Sequence, residues 1–307
     1  MSKPITSYTI PITTDQLENL RKILTASADF EFVEKPYAIF SAKKEKLNVT
    51  VYEKGPKVLV QGRLTEEFVK NILEPEILGE ARIGREEELD PEMFQPHIGV
   101  DESGKGDFFG PLTVAGVFVD QKAAKTLLEL GIMDSKRVTS DARIRKRADE
   151  IREIPGLDFD VIVFEPESYN HQYHELRNVN RLLAQGHAGI IENLLTRNPD
   201  CPRALCDQFD ASKTEIQRAL KPLGRQIRVD ERPRAESDIA VAAASVLARE
   251  AFINWMDETE EKLGISIPRG ASQKVIETGK KIVRDLGEMS LSQLSKTHFK
   301  TSEDILS

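Results

Sequence analysis

Two adjacent acids, Asp101 and Glu102, end an apolar run that starts at Ile98 and open the glycine-rich segment Ser103-Gly-Lys-Gly106. In a strand, successive side chains leave the pleat on opposite sides, so the two carboxylates point in different directions from one strand end. Hard carboxylate oxygens suit divalent magnesium or manganese, ions that can hold the attacking and departing oxygens of a phosphodiester. An acidic pair at such a place also describes a solvated loop end or a carboxylate bonded to a local amide. Further residues must decide.

Ser103, Gly104, Lys105 and Gly106 supply some of them. Two glycines let the backbone approach a phosphate closely, and Lys105 adds positive charge. A nucleotide-triphosphate loop would need Gly-x-x-x-x-Gly-Lys-Ser/Thr followed by a helix. Here Lys105 is followed by Gly106 and then by a β-rich run, Leu112–Val119, which rules that reading out. Asp207 closes a second apolar run, Ala204-Leu-Cys-Asp207, and Glu236 and Asp238 precede the small-residue stretch Ala240-Val-Ala-Ala-Ala-Ser245. Taken singly, Asp207 reads as structural, and either later acid reads as a partner for a helix N-terminus. Taken together, they could bring four acids to one place.

The elements that must position these acids follow from periodicity. Ile98–Asp101 and Leu112–Val119 read as a hairpin joined by the glycine turn. Leu157–Phe164 and Arg203–Asp207 read as further strands of a mixed sheet. Ala123–Gly131, Thr139–Arg152, Leu176–Leu195 and Ile239–Leu263 read as helices, the last with a first half small enough to pack closely on the sheet. Upstream, an extended segment Ser7–Pro11, a helix from Thr14 to Thr25 capped by Thr13 or Thr14, strands Tyr37–Ala42, Leu47–Tyr52 and Lys57–Gln61, and a helix Glu66–Leu73 make a small α+β unit. The expected division is a domain over 1–80, a linker over 81–96 with Asp90-Pro91 and Pro96, and a domain over 97–307.

Bulk properties bound the class. With 307 residues, 39% hydrophobic and 31% charged, the chain is a globular protein of more than one domain. No apolar run approaches the ~18 residues of a membrane span, and no secretory signal opens the chain, so the cytoplasm is the expected compartment. Cys201 and Cys206 are too few for a metal set or a disulfide framework and read as ordinary reduced residues. The net charge of −8 argues against a uniformly basic nucleic-acid binder. Residues 41–63 nevertheless carry Lys43, Lys44, Lys46, Lys54, Lys57 and Arg63 against Glu45 and Glu53, a local basic surface that alone also describes a solvated sheet face.

A resemblance links these features. Asp101-Glu-Ser-Gly-Lys-Gly-Asp-Phe-Phe-Gly-Pro111, Asp134-Ser-Lys136, Asn178-Val-Asn-Arg-Leu-Leu-Ala-Gln-Gly-His187, Cys206-Asp-Gln-Phe209, Arg234-Ala-Glu-Ser237 with Val241-Ala-Ala-Ala-Ser245, and His298-Phe-Lys-Thr301 form an ordered set. That set resembles the type 2 ribonucleases H and, within them, the ribonuclease HIII group. The likeness implies an α/β fold, a ribonuclease H-like mixed sheet flanked by helices. A small α+β TATA-binding-protein-like domain would precede it and serve as a substrate-binding domain. It also implies endonucleolytic hydrolysis of the RNA strand of RNA–DNA hybrids with two Mg²⁺ or Mn²⁺ ions, leaving 5′-phosphate and 3′-hydroxyl ends. The family's acidic quartet maps onto Asp101, Glu102, Asp207 and a fourth acid, for which Glu236 is favoured over Asp238. Substrate contacts fall to Ser103, Gly104, Lys105, Gly106, Ser135 and Lys136.

A monomer with an RNA–DNA hybrid as partner and no membrane is expected. Ribonuclease HII usually carries Arg where Lys105 stands and lacks the extra domain, which puts excision of single embedded ribonucleotides second. A noncatalytic hybrid-binding factor is the alternative outside enzymes. His187 is expected to be a core or hydrogen-bonding residue, Trp255 a core residue, and His298 and Lys300 either rim or capping residues.

Overall fold

Alternating apolar residues in the first 80 positions build a single sheet with one greasy face. A computed structural model describes residues 5–27, 29–79, 90–132, 140–210, 214–233 and 235–307, in two units, Met1–Pro91 and Glu92–Ser307. In the first, strands β1 (Ser7–Pro11), β2 (Glu31–Val33), β3 (Ala38–Lys44), β4 (Leu47–Tyr52) and β5 (Lys57–Gly62) form an antiparallel sheet in the order β1-β5-β4-β3-β2. Val49, Val51, Val58 and Val60 turn inward against Leu20 and Leu24 of the helix Thr14–Ala26 and against Leu73. Thr13 is the cap of that helix: its Oγ1 accepts from the Gln16 amide at 3.2 Å while Gln16 Oε1 accepts from the Thr13 amide at 2.9 Å.

Two details differ from expectation. The second helix runs as Thr65–Phe68 and continues as a π-helical stretch, Val69–Leu78. Pro75 inside it has no N–H to give an α-helical carbonyl, and the wider winding accommodates it. Strand β2 escaped the sequence reading because three mostly exposed edge residues are too few to show a period.

The larger unit is a mixed sheet in the order β10-β9-β6-β7-β8, built from β6 (His97–Ser103), β7 (Leu112–Val119), β8 (Asp158–Phe164), β9 (Arg203–Asp207) and β10 (Arg228–Arg232). The β6–β7 and β7–β8 pairs are antiparallel, and β9 runs parallel to both β6 and β10. Helices cover both faces. The helix Ile239–Leu263 packs over Ala115, Val117 and Val119, and the helix Val179–Arg197 packs over Ile98, Val100, Leu112 and Val114. By length and composition the helix Ile239–Leu263 could cross a bilayer, but 72% of its most apolar stretch is buried inside this unit.

The helix expected over Leu176–Leu195 is observed as Val179–Arg197, and a separate helix that the sequence did not reveal, Pro166–Leu176, precedes it. Arg177 takes a left-handed conformation, φ 52°, and the Asn178 side chain caps the second helix through the Asn180 amide at 2.8 Å. Strand β10, Arg-Val-Asp-Glu-Arg, is a charged edge strand without an apolar face to betray it. Helices Gln273–Leu286, Met289–Leu294 and Thr301–Leu306 also lay beyond the sequence reading. With Phe108, Phe109, Phe252 and Met256 they form a separate apolar cluster, against which Trp255 is half-buried. Of the expected linker, residues 81–89 lie outside the described residues. Its C-terminal part differs: Pro91–Phe94 form a 3-10 turn whose Met93 and Phe94 are buried in the larger unit's core.

Glycines set how closely these layers meet. A Cβ at Gly99 would stand 2.2 Å from the Val241 amide nitrogen and 2.3 Å from the Ala240 carbonyl carbon, so β6 and the small-residue helix touch backbone to backbone. Gly99→Ala is therefore expected to lower stability by about 3 kcal/mol or more, at or above the usual overpacking cost, since backbone rather than a pliable side chain must move. Urea unfolding measures this, and an unchanged midpoint would refute the close contact.

Candidate active site

The β6–β7 register fixes where the acidic pair points. Asp101 pairs with Ala115, on the face covered by the helix Ile239–Leu263, and Glu102 pairs with Val114, on the face covered by the helix Val179–Arg197. Accordingly Asp101 accepts hydrogen bonds from the Ser245 hydroxyl and, at 2.8 Å, from the Glu102 amide. Glu102 Oε2 lies 3.2 Å from Nε2 of His187 on the opposite helix.

Asp207 joins Asp101 through the parallel pairing of β9 with β6. Val100 pairs with Cys206, so Asp101 and Asp207 follow at neighbouring strand ends. Leu205 packs with Val241 under the small-residue helix, and by alternation Asp207 faces the same side as Asp101. Its Oδ1 accepts from the Ala235 amide at 2.7 Å, which ties the 3-10 turn Ala235–Ser237, and with it Glu236, to the acidic strand end.

Asp238 has a different task. It is buried, 2% exposed, and its Oδ1 accepts from the Ala240 and Val241 amides at 2.9 and 3.2 Å as the cap of the long helix. The same oxygen is 3.0 Å from His97 Nε2, whose ring is fixed by Nδ1 against the Gln95 carbonyl at 2.7 Å. Burial opposes its ionisation, yet the hydrogen bond and charge of His97 and the Val241 amide hold its carboxyl below the usual range. All three contacts fall on the one oxygen, Oδ1.

Electrostatics single out Asp101. Burial first, then the neighbouring Glu102 charge and more weakly Asp207, push its pKa up to about 7, against the opposing bonds from Ser245 and the Glu102 amide. Negative charge concentrated at a nearly buried strand end is what a divalent cation would relieve. The donors are oxygens, the ligand type that magnesium and manganese prefer. Among the described residues, no three His, Cys, Asp or Glu side chains stand close enough to enclose one ion by themselves.

The glycine turn borders these acids. Gly104 sits at φ +85°, and a Cβ there would strike the Pro111 carbonyl oxygen at 2.3 Å and the Phe252 ring at 2.8 Å. At Gly106 a Cβ would meet nothing within 4 Å, so that side of the turn is open to a ligand. Lys105 lies 5.5 Å from the centre of the Phe209 ring, with its Nζ 3.4 Å from the Phe209 carbonyl. Ser103 ends β6 beside them. Ser135 and Lys136 lie outside the described residues.

His187 meets the core expectation, being fully buried and edge-on to Phe209 at 5.0 Å, but it also reaches an acid of the cluster, which sequence reasoning missed. Ser245 was missed as well, although its place in the small-residue stretch four residues after Val241 was a signal. His298 belongs to an aromatic group, stacked on Tyr173 at 4.1 Å. Cys201 and Cys206 are buried free thiols, each pushed up by burial, as expected of inert cysteines.

Comparison with known proteins bears on both units. Residues 98–302 match the family described as ribonuclease HII, and residues 10–80 match a domain of unknown function, DUF3378. Ribonuclease HIII from Chlamydia caviae is 41% identical over 99% of this chain and 98% of that relative. Ribonuclease HIII from Protochlamydia amoebophila is 39% identical over 96% of each. Among solved structures, Bst-RNase HIII in complex with Mn²⁺ superposes with a TM-score of 0.66 at 28% identity, over 98% of both chains. Ribonuclease HII of the Archaeoglobus fulgidus PCNA complex covers 69% of this chain and 97% of its own, with a TM-score of 0.58 and 28% identity.

Glu236 and Asp238, two residues apart, are thus expected to separate on stability alone. Asp238→Ala should cost about 1–2 kcal/mol for the lost cap, with more for the stranded His97, while Glu236→Gln leaves the urea midpoint near that of the parent. Equal losses would contradict the division of tasks.

Proposed function

This chain belongs to the type 2 ribonucleases H, in the ribonuclease HIII group, and from that premise we propose that Asp101, Glu102, Asp207 and Glu236 are its catalytic and metal-holding acids. The enzyme is an endoribonuclease H that hydrolyses the RNA strand of RNA–DNA hybrids. The observation that carries the residue assignment is the meeting of Asp101, Asp207 and the Glu236 turn on one face of two parallel strand ends, with Asp238 occupied by its helix and by His97.

A pair of magnesium or manganese ions held by these acids would supply the charge that activates a water and steadies the departing 3′ oxygen. Asp101, with its pKa raised toward neutrality, and Asp207 present oxygens from one side of the sheet end. Glu102 presents its own from the other side, steadied by His187. Lys105, braced against Phe209, adds a positive charge to the turn, and a phosphate of the cut strand can lie against the open Gly106 backbone. Such contacts position rather than read bases, so cleavage tolerates sequence and leaves 5′-phosphate and 3′-hydroxyl ends. Ser103 and Gly104 shape the turn, and Ser135 and Lys136 keep their expected role in phosphate contact.

The N-terminal unit, over 1–80, serves in this proposal as the hybrid-binding domain. Its sheet face away from the helices carries the row Ser7, Gln61, Asn48 and Lys43, with Thr9 and Lys57 in the rows beside it, while Ser41 and Thr50 on that face are buried and bonded to each other at 2.9 Å. Hydroxyls, amides and exposed lysines on a broad sheet suit recognition of a duplex by shape, 2′-hydroxyls and phosphates. Lys44, by contrast, is engaged by Asp29 at 2.6 Å. The enzyme acts as a monomer in the cytoplasm in this reading.

Single-turnover cleavage of a labelled hybrid tests the assignment. Glu236→Gln is expected to lower the rate by about a hundredfold or more in either metal, whereas Asp238→Ala, at a temperature where it is folded, retains most of it. The reverse pattern would transfer the fourth role to Asp238. Lys105→Ala should weaken hybrid binding by about three- to tenfold with a smaller salt dependence, measured by fluorescence anisotropy without metal. Unchanged affinity would remove the turn from the substrate site.

A further inference from the structure

The glycine turn is held from behind by a lysine that no part of the proposed reaction uses. Lys296 is 0% exposed, and its Nζ donates to the Gly110 carbonyl at 2.5 Å and to the Pro111 carbonyl at 3.2 Å, with the Tyr169 ring 5.8 Å away. The Lys296 amide donates to the Phe108 carbonyl at 2.8 Å, Phe109 bridges to Ser295, and the Gly110 amide donates to the Leu294 carbonyl at 2.9 Å. On the other flank the Gly270 amide donates to Asp107 Oδ1 at 2.6 Å and the Phe108 amide to the Gly270 carbonyl at 2.9 Å. The segment 107–111 is thereby laced between two C-terminal loops.

One of the two carbonyls held by the ammonium bears directly on the substrate turn. The Pro111 oxygen is the atom that a Cβ at Gly104 would meet at 2.3 Å, so its place fixes how near the Gly104-Lys105-Gly106 backbone can come. A buried ammonium is costly, and burial pulls the pKa of Lys296 down to about 7. An apolar side chain of that length would fill the same space at lower cost. A lysine at this place is explained if its bonds to Gly110 and Pro111 are needed to hold the turn.

We propose that Lys296 is a positioning residue for hybrid binding, acting through the Gly110 and Pro111 carbonyls to set the Gly104–Gly106 turn. This rests on the reading of that turn as the substrate turn. The test compares Lys296→Met with the parent chain for metal-free affinity to an RNA–DNA hybrid and for melting temperature. Lys296→Met is expected to fold with an unchanged or higher melting temperature. It is expected to bind the hybrid about tenfold more weakly, as for loss of a hydrogen bond to a charged group, and to raise KM more than it lowers kcat.

Lys296→Gln loses the charge but keeps an N–H donor group, and is expected to weaken binding by a smaller factor. Parent-like affinity in a folded variant of either kind overturns the inference, as does failure of both to fold, which would make Lys296 a residue of folding alone. If Lys105→Ala weakens binding while Lys296→Met does not, only this inference falls. If neither does, the reading of the turn falls with it.

Discussion

The closeness of one helix to one strand organises the larger unit. With no Cβ at Gly99, and alanines opposite, the backbone of the helix Ile239–Leu263 lies directly on β6. That contact brings Ser245 within reach of Asp101 and puts the helix N-terminus, its cap Asp238 and the preceding turn beside the end of β9. A larger residue at Gly99 would lift the helix and separate the acids it gathers. The other face obeys a matching constraint, since a Cβ at Gly116 would stand 2.2 Å from Ile190. There the helix that carries His187 closes on Glu102. The sheet end is thus squeezed from both sides, and its two adjacent carboxylates are served by different helices.

Much of this arrangement was legible before any coordinates. Leu112–Val119, Arg203–Asp207 and Ile239–Leu263 emerge with the boundaries that periodicity assigned, because each buries most of its length and therefore carries a continuous apolar signal. Asp101 and Glu102 were legible because a strand end and a glycine turn coincide there. The misses have physical causes as well. Strand β10 is held by backbone pairing at an edge, where side chains need not be apolar, and the break at Arg177 depends on one left-handed residue inside an otherwise helical pattern.

The choice between Glu236 and Asp238 could not be read from spacing, since either fits a stretch that precedes a helix. In the folded chain the two acids differ in their hydrogen bonds, and the proposed assignment rests on that difference. Asp238 gives one oxygen to two helix amides and to a buried histidine, whereas Glu236 lies in the turn whose Ala235 amide donates to Asp207. Lys296 was invisible for the complementary reason. Nothing in a sequence marks a lysine as buried, and its importance lies in two backbone carbonyls almost two hundred positions upstream.

The most direct measurement of the central claim uses two end-labelled substrates with the purified chain and Mg²⁺ or Mn²⁺: a full RNA–DNA hybrid and a DNA duplex with one embedded ribonucleotide. The account predicts metal-dependent cuts at many positions of the RNA strand, leaving 5′-phosphate and 3′-hydroxyl ends, with the hybrid strongly favoured. Folded protein that leaves the hybrid intact in both metals would contradict it.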